Sequence, residues 1–459
     1  MYLYVCVKTI YMNKLFLTIG ILTAICQTSL AQDYAHIDVK YCNLKYNLNP
    51  NSIRVESENK VHFAVSDNKE LPIFLELKYN FKISDIICLS NGKQLKFDRN
   101  GESLVVFPNK KWRSLDSIQI KYNGELTLSE NDALGITKNR RGPELWSFPG
   151  LNNTSGLFAC KQDPSDKIDS VTITITSPKE FRTISNGVLI KESIDSENRT
   201  MVWHHKYPIA HYSIGLICSN FADYSDTINL GNGTIIMQNF VYPGYLETAR
   251  TLSQKLIPIF KLFCNLFGNY PFANEKFGMA QFGFNGTQSY QTLAFVKNFD
   301  LLLTTHELSH QWFGNAITCN SWNEVWLNES LATYSEYLAI EKGLIPDVSA
   351  EDWLSETRSN AQTDGSIIVK EPQSYADVFM MNKDCINDKG AMMIHSLRQI
   401  IGDEAFFKGL KNYATDPKLL YHTSKSEDFI RHFENVSGKS LKSFFNEWLY
   451  NEGIPSDLK

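Results

Sequence analysis

The pattern of apolar and polar positions changes once along the chain. From about residue 32 to 240, short runs of β-branched and aromatic residues alternate with polar ones, as in SVTITITSP (170–178), SIQIKYNGEL (117–126) and HYSIGLICSNF (211–221). Period-two alternation of this kind predicts half-buried strands. Asn186-Gly187 and Asn232-Gly233 supply turn dipeptides between them. The expected first half is an antiparallel β domain of sandwich or saddle type. After Pro243-Gly244 the apolar residues fall at helical spacing, so YLETARTLSQKLIPIFKLFCNLFG predicts one long helix carrying Pro258. The mixed segment KFGMAQFGFNGTQSYQTLAFV predicts a small sheet, and further helices are expected around 301–314, 322–342, 389–401, 403–414 and 426–449. The boundary is expected near residue 240, giving a β domain over 32–240 and a mainly α domain over 241–459.

The N-terminus adds an address. From Met12, MNKLFLTIGILTAICQTSLAQ holds a basic residue, an apolar run and a small-x-small site, so a signal peptide over 1–31, cut after Ala31, is expected, with Met12 as an alternative start. Cys26 follows Ile25 rather than a small residue, which disfavours lipid attachment there. No later apolar run is long enough to span a bilayer, so an exported protein, periplasmic or extracellular, is expected. The 459 residues suffice for two cores, and 43% hydrophobic with 21% charged content is ordinary for a globular chain. A formal charge of −5 without a basic stripe argues against nucleic acid as a partner. Of nine cysteines, seven follow residue 31, widely spaced and without a C-x-x-C pair, which predicts neither a zinc-cysteine site nor a disulfide scaffold.

The chemistry is concentrated in LLLTTHELSHQWFGN (301–315). In a helix, residues four apart lie about 40° apart around the axis and one turn above each other, so His306 and His310 can aim two imidazoles at one ion. Glu307 lies beside them, able to reach a bound water. Eighteen intervening residues beyond His310 stands Glu329, in NEVWLNESLATYSEYL. A turn through 315–321 would bring this second helix back against the first, with Glu329 opposite the histidines. Two histidines and a carboxylate leave one tetrahedral position of a zinc ion open, as catalytic zinc sites require.

HELSHQWFGN followed by WNEVWLNESLATY resembles the membrane alanyl aminopeptidase family of zinc metallopeptidases, whose pattern is H-E-x-x-H, eighteen residues, then E. FACKQDPSDKIDSVTITITSP and ISNG are similar to its β domain, FGNYPF to the entry of its catalytic domain, and DKGAMMIHSLRQIIGDEAFFKGLKNY to its later helices. The resemblance runs from about residue 70 onward. It implies an N-terminal β saddle and a thermolysin-like catalytic domain, without the family's helical C-terminal domain after FNEWLYNEGIP. It also implies a peptide or protein substrate, and one zinc per chain held by His306, His310 and Glu329, with Glu307 as general base.

Three departures from the family stand out. Its oxyanion-stabilising tyrosine, in Y-x-K-G-A, is matched by Asn387 in Asn387-Asp388-Lys389-Gly390-Ala391; Tyr375 and Tyr290 are candidates to replace it. Its G-A-M-E-N motif, whose glutamate binds the substrate ammonium, aligns with Gly286-Thr287-Gln288-Ser289-Tyr290, which makes Gly286, Ser289 and Tyr290 the expected substrate-binding positions and leaves a hydroxyl where the charge-assisted bond needs a carboxylate. The β-domain segment that contributes another amine-binding acid reads SFPGLNNTSG (147–156), with no carboxylate; Glu144, upstream, is expected to be a solvated loop residue. Two readings follow: an exported zinc metallopeptidase with weakened amine-end specificity, or a catalytically impaired zinc protein that binds peptides. The retained Glu307 favours the first, because a pure binder has no use for a base.

Overall fold

The computed structural model of the chain describes residues 36–455 other than 67–68, 128–131, 140–141, 151, 232, 284–285, 363, 373–376 and 379. The expected signal peptide, Asn232 and Tyr375 lie outside the described residues.

The alternating text of the first half folds into sheets. The largest has eight strands in the order Val188–Ile194, Asn198–His205, Ser170–Pro178, Ile37–Asn47, Arg54–Val65, Leu115–Glu125, Phe81–Cys88, Lys93–Gln94. Neighbours are antiparallel except Ile37–Asn47 and Ser170–Pro178, which run parallel. In Ser170–Pro178 the residues Val171, Ile173 and Ile175 are buried while the threonines between them are half-exposed. This is the pleat read directly from the sequence. A four-stranded sheet (Arg182–Ser185, Leu216–Ser219, Gly142–Ser147, Leu134–Asn139) and a three-stranded one (Ile73–Glu76, Ser103–Phe107, Lys96–Asn100) complete the β domain.

The second half is built on a five-stranded sheet: β1 (Ala222–Asn229), β2 (Thr234–Val241), β3 (Phe277–Gln281), β4 (Thr287–Tyr290) and β5 (Leu293–Val296), ordered β1-β2-β3-β5-β4. Alternation gives this sheet two buried faces. Met237, Val241, Phe277, Met279, Ala294 and Val296 join the helical core, and Phe240, Tyr242, Ala280, Leu293 and Phe295 join the β-domain core. The expected boundary at 240 falls inside β2, which pairs in parallel with β3 through Met237 and Phe277. Local alternation cannot tell which sheet a hairpin joins, so β1 and β2 read like the strands before them.

The helices are α1 (Leu246–Phe267), α2 (Leu301–Ser309), α3 (Trp326–Glu341), α4 (Ala350–Asn360), α5 (Gly390–Ile401), α6 (Asp403–Ala414), α7 (Ser426–Ser437) and α8 (Lys442–Tyr450). A π-helical turn, Cys385–Lys389, leads into α5. α2 ends sooner than its sequence pattern predicts, and the following turn passes through Gly314 at φ +123°. The stretch expected as one helix over 426–449 is two, because Gly438 takes the left-handed conformation that ends α7. α4 was not expected: it fully buries only Trp353 and Thr357, too narrow an apolar stripe to signal a helix. No helix among the described residues is long and apolar enough to cross a membrane, and no disulfide occurs among them.

Polar groups rivet the halves together. Asn186 is fully buried; its Nδ2 donates to the Ser213 and Gln291 carbonyls (2.9 and 2.6 Å), and its Oδ1 accepts from the Gly215 amide (2.8 Å). Gly187 beside it has φ +74°, and a Cβ there would lie 2.0 Å from the His204 carbonyl oxygen, so only glycine fits. Lys167 is buried without a carboxylate partner among the described residues, and its Nζ donates to the Asn315 and Ala316 carbonyls (2.8 and 3.1 Å) in the turn after α2. Burial pulls its ammonium down to about 7.

Asn186→Ala would leave two carbonyls and an amide buried without their partner. The expected loss is about 3 kcal/mol of stability in urea unfolding. A loss under about 0.5 kcal/mol, within the range of an ordinary surface change, would mean that apolar packing alone holds the seam.

Candidate metal centre and active site

Asp300 starts α2 by accepting the Leu303 amide at 2.9 Å, and the helix then carries His306 and Glu307 on its last turn, with His310 as its C-terminal cap. α3 packs against α2 and presents Glu329 in its first turn. Glu329 Oε2 lies 3.4 Å from His306 Nε2 and 3.6 Å from His310 Nε2. Donors bound at about 2.0–2.1 Å around a tetrahedral ion stand about 3.3 Å apart, so both Glu329–histidine spacings suit one small divalent ion. The three residues form a cluster of mutually close ligand atoms among the described residues.

Each imidazole is held from its far side. His306 Nδ1 donates to Glu336 Oε1 (2.7 Å) and His310 Nδ1 donates to the Phe313 carbonyl (3.0 Å), which turns both Nε2 atoms toward Glu329. Glu336 also accepts from Trp353 Nε1 at 3.4 Å. Burial disfavours charge on His306, yet the Glu329 and Glu336 carboxylates outweigh it and hold the imidazole well above its ordinary value. Burial likewise opposes the charged form of Glu329, and the His310 and His306 imidazoles overcome it, holding the carboxyl well below the usual range. The pocket therefore has a negative bias that suits a cation.

Glu307 is 5% exposed, and its Oε1 accepts from Thr287 Oγ1 at 2.5 Å. Burial pushes its carboxyl up, against the pull of the two histidines and the Thr287 hydroxyl. Ser289 lies two residues along β4 on the same face. Its Oγ donates to the Glu307 carbonyl (3.3 Å) and accepts from Gln311 Nε2 (3.2 Å) and Asn315 Nδ2 (3.1 Å). Its hydroxyl is thus turned to the metal-bearing segment. Gln311 also pins the end of β4, donating to the Tyr290 carbonyl (3.0 Å) and accepting the Thr292 amide (2.8 Å).

Several expected residues sit elsewhere. Tyr290 points to the opposite face of β4, fully buried, and its phenol donates to the Ser147 carbonyl at 2.8 Å. The strand's alternation makes it a core residue and withdraws it as a stand-in oxyanion donor. Gly286 is exposed just before β4, with φ +129°, and a Cβ there would meet no atom within 4 Å. Asn387 lies in the π-helical turn, half-buried, and its Nδ2 donates to Thr333 Oγ1 (3.0 Å), one turn beyond Glu329 on α3. Glu144 is not a solvated loop residue: it is fully buried in strand Gly142–Ser147, accepting from the Tyr242 hydroxyl and from the Gly283 amide at 2.8 Å. Its isolation among turn residues in the sequence hid that strand.

Sequence reasoning missed Glu336, Thr287 and Gln311. Glu336 was findable, because seven residues past Glu329 is two helical turns on one face. Thr287 and Gln311 act across elements whose separation the sequence does not encode.

The model of the Peptidase family M1 domain matches residues 292–448, which contain the three clustered donors and Glu307. Over those residues the chain is similar to peptidase family M1. Among curated relatives, Aminopeptidase M1-B of Oryza sativa subsp. japonica is 27% identical over 65% of this chain and 36% of its own. Tricorn protease-interacting factor F2 of Thermoplasma acidophilum is 23% identical over 87% of this chain and 51% of its own. The chain thus spans about a third to a half of the length of these relatives. A solved M1 zinc metallopeptidase from Deinococcus radiodurans matches in fold with a TM-score of 0.78 at 18% identity, over 92% of this chain and 96% of that one. The architecture, β-rich then mainly helical, therefore matches the fold of that structure.

Glu336→Ala would free His306 Nδ1 and remove one carboxylate from the pocket. The expected effect is a roughly tenfold to hundredfold weaker affinity for added zinc, read by chelator competition. Glu329→Gln should bind weaker still, and undiminished zinc in that variant would refute the ligand assignment.

Proposed function

We propose that this protein is an exported zinc-dependent metallopeptidase of the M1 type that hydrolyses peptide bonds without strong dependence on a free N-terminal amine. The observation that carries this reading is the buried Glu307 carboxylate next to a cluster of three ligand atoms, from His306, His310 and Glu329, that could hold one metal ion. His306, His310 and Glu329 would hold the zinc. When bound there, zinc supplies Lewis acidity that polarises a carbonyl and makes water nucleophilic near neutral pH. Glu307 takes the proton from the attacking water and returns it to the leaving amine. Among the described residues β4 pairs with β5 alone, so its other edge is available to an extended peptide backbone.

The weak amine preference rests on charge. Ser289 supplies no carboxylate and is engaged by α2 and its following turn, while Glu144 is engaged by Tyr242 and Gly283. A neutral or occupied acceptor gives an ammonium little advantage over a blocked amine. The rival reading, a zinc-holding peptide binder with impaired chemistry, draws its support from Asn387 at the oxyanion tyrosine's position.

Glu307→Gln is expected to keep its zinc and lose peptide cleavage, measured by metal analysis and product chromatography on the same preparation. The intact protein should hydrolyse an N-acetylated peptide at least as fast as its free-amine twin. Fast turnover confined to the free-amine form would reinstate aminopeptidase specificity.

Asn387→Tyr returns a phenolic donor to the family's position. Turnover on a slowly cleaved peptide should rise, by at most about a hundredfold on the scale of single oxyanion donors. If no peptide is cleaved before or after that change, the binding reading replaces the enzymatic one.

A further inference from the structure

We propose that Thr287 is a positioning residue for the general base, and that the edge strand β4 works as a clamp on Glu307. The inference rests on the reading of Glu307 as that base. The Thr287 Oγ1 to Glu307 Oε1 distance is 2.5 Å. A carboxylate has no proton to give, so the hydroxyl donates, and the length is that of a charge-assisted O–H···O bond. Two residues on, Ser289 donates to the Glu307 backbone carbonyl, and Gln311 and Asn315 fix the Ser289 oxygen from two sides. One face of one strand therefore grips the same glutamate at its side chain and its main chain.

The consequence is orientation. With Oε1 held by Thr287 and the residue almost wholly buried, the remaining oxygen is directed, and no other hydrogen bond among the described residues reaches the carboxylate. Threonine suits the task because its β-branch restricts χ1 on a strand, so the hydroxyl direction is set by the backbone. A base already aligned for proton transfer avoids a reorientation step at each turnover.

The test compares Thr287→Val, which keeps the branch and loses the hydroxyl, with Thr287→Ser, which keeps the hydroxyl. Zinc content and thermal midpoint are measured first. Thr287→Val should lower kcat about tenfold to a hundredfold, the scale of a misplaced catalytic group, with KM within about twofold; Thr287→Ser should restore most of it. A second readout needs no turnover: a peptide hydroxamate, which passes its proton to the base on binding, is titrated calorimetrically. Thr287→Val should weaken its binding in the native background and add nothing in a Glu307→Gln background. Equal kcat and equal hydroxamate affinity in the native protein and Thr287→Val overturn the proposal, as does an equal loss in both backgrounds, which would make the hydroxyl a ligand contact. If the native protein cleaves no peptide but the hydroxamate pattern holds, the clamp stands and the proposed enzymatic function falls.

Discussion

The structure is organised around one electrostatic constraint: a carboxylate set 3.4 and 3.6 Å from two imidazoles in a largely buried pocket. Taking such groups out of water costs several kcal/mol each unless partners offset it. The surroundings provide those partners. Glu336 and the Phe313 carbonyl fix the outer nitrogens, and Asp300 anchors the N-terminus of α2. The turn between α2 and α3 must then hold still, because a shift of a few tenths of an ångström at either helix would spoil the donor spacing. It is stitched by Asn315 to His310 and by Asn328 to Cys319 through backbone amides.

That requirement explains why the β domain reaches into the site's supports. Lys167 comes from the β domain and caps carbonyls in the turn after α2, where solvent would otherwise have to enter. Asn186 ties the β domain to the β4–β5 hairpin through the Gln291 carbonyl, and Gly187 donates to Thr292 Oγ1 at 2.8 Å. Thr292 holds φ +66°, a costly conformation for a β-branched residue. The bonds from Gly187 and to Gln311 over-determine it, and such strain persists only where the surroundings impose it. The hairpin that carries Thr287 and Ser289 is thus positioned from both halves.

Local chemistry was legible in the sequence wherever its period was short. The His306–His310 spacing places two ligands on one helix face, and the threonines between Val171 and Ile175 mark a strand. What was lost depends on distance across the fold. Alternation assigned Tyr290 and Ser289 to opposite faces of β4, but only the packing says that one face meets the Ser147 carbonyl and the other meets α2. Glu144 looked solvated because a lone acid near Pro143 and Gly150 reads as loop; its burial depends on Tyr242, nearly a hundred positions away. The hairpin β1–β2 misled for a related reason, since a strand's sequence carries its pleat but not its sheet.

Specificity at such a site is a difference between two bound states. A free ammonium gains over a blocked amine only if an acceptor with charge and an unfilled lone pair faces it. Here Ser289 already takes two amide donors and gives its proton to Glu307's carbonyl, so its oxygen is saturated. Glu144 has both carboxylate oxygens engaged within the protein, one by a phenol and one by a backbone amide. On the proposed reading discrimination comes from elsewhere, and the outer edge of β4 would pair with backbone rather than with chain ends. Main-chain pairing reads extension and direction, and it is indifferent to whether the chain begins at the cleft or continues through it. The same strand that offers Ser289 in place of a carboxylate holds Glu307 through the Thr287 hydroxyl, so in the proposed function any cost would fall on selection at the amine while the proposed base stays held.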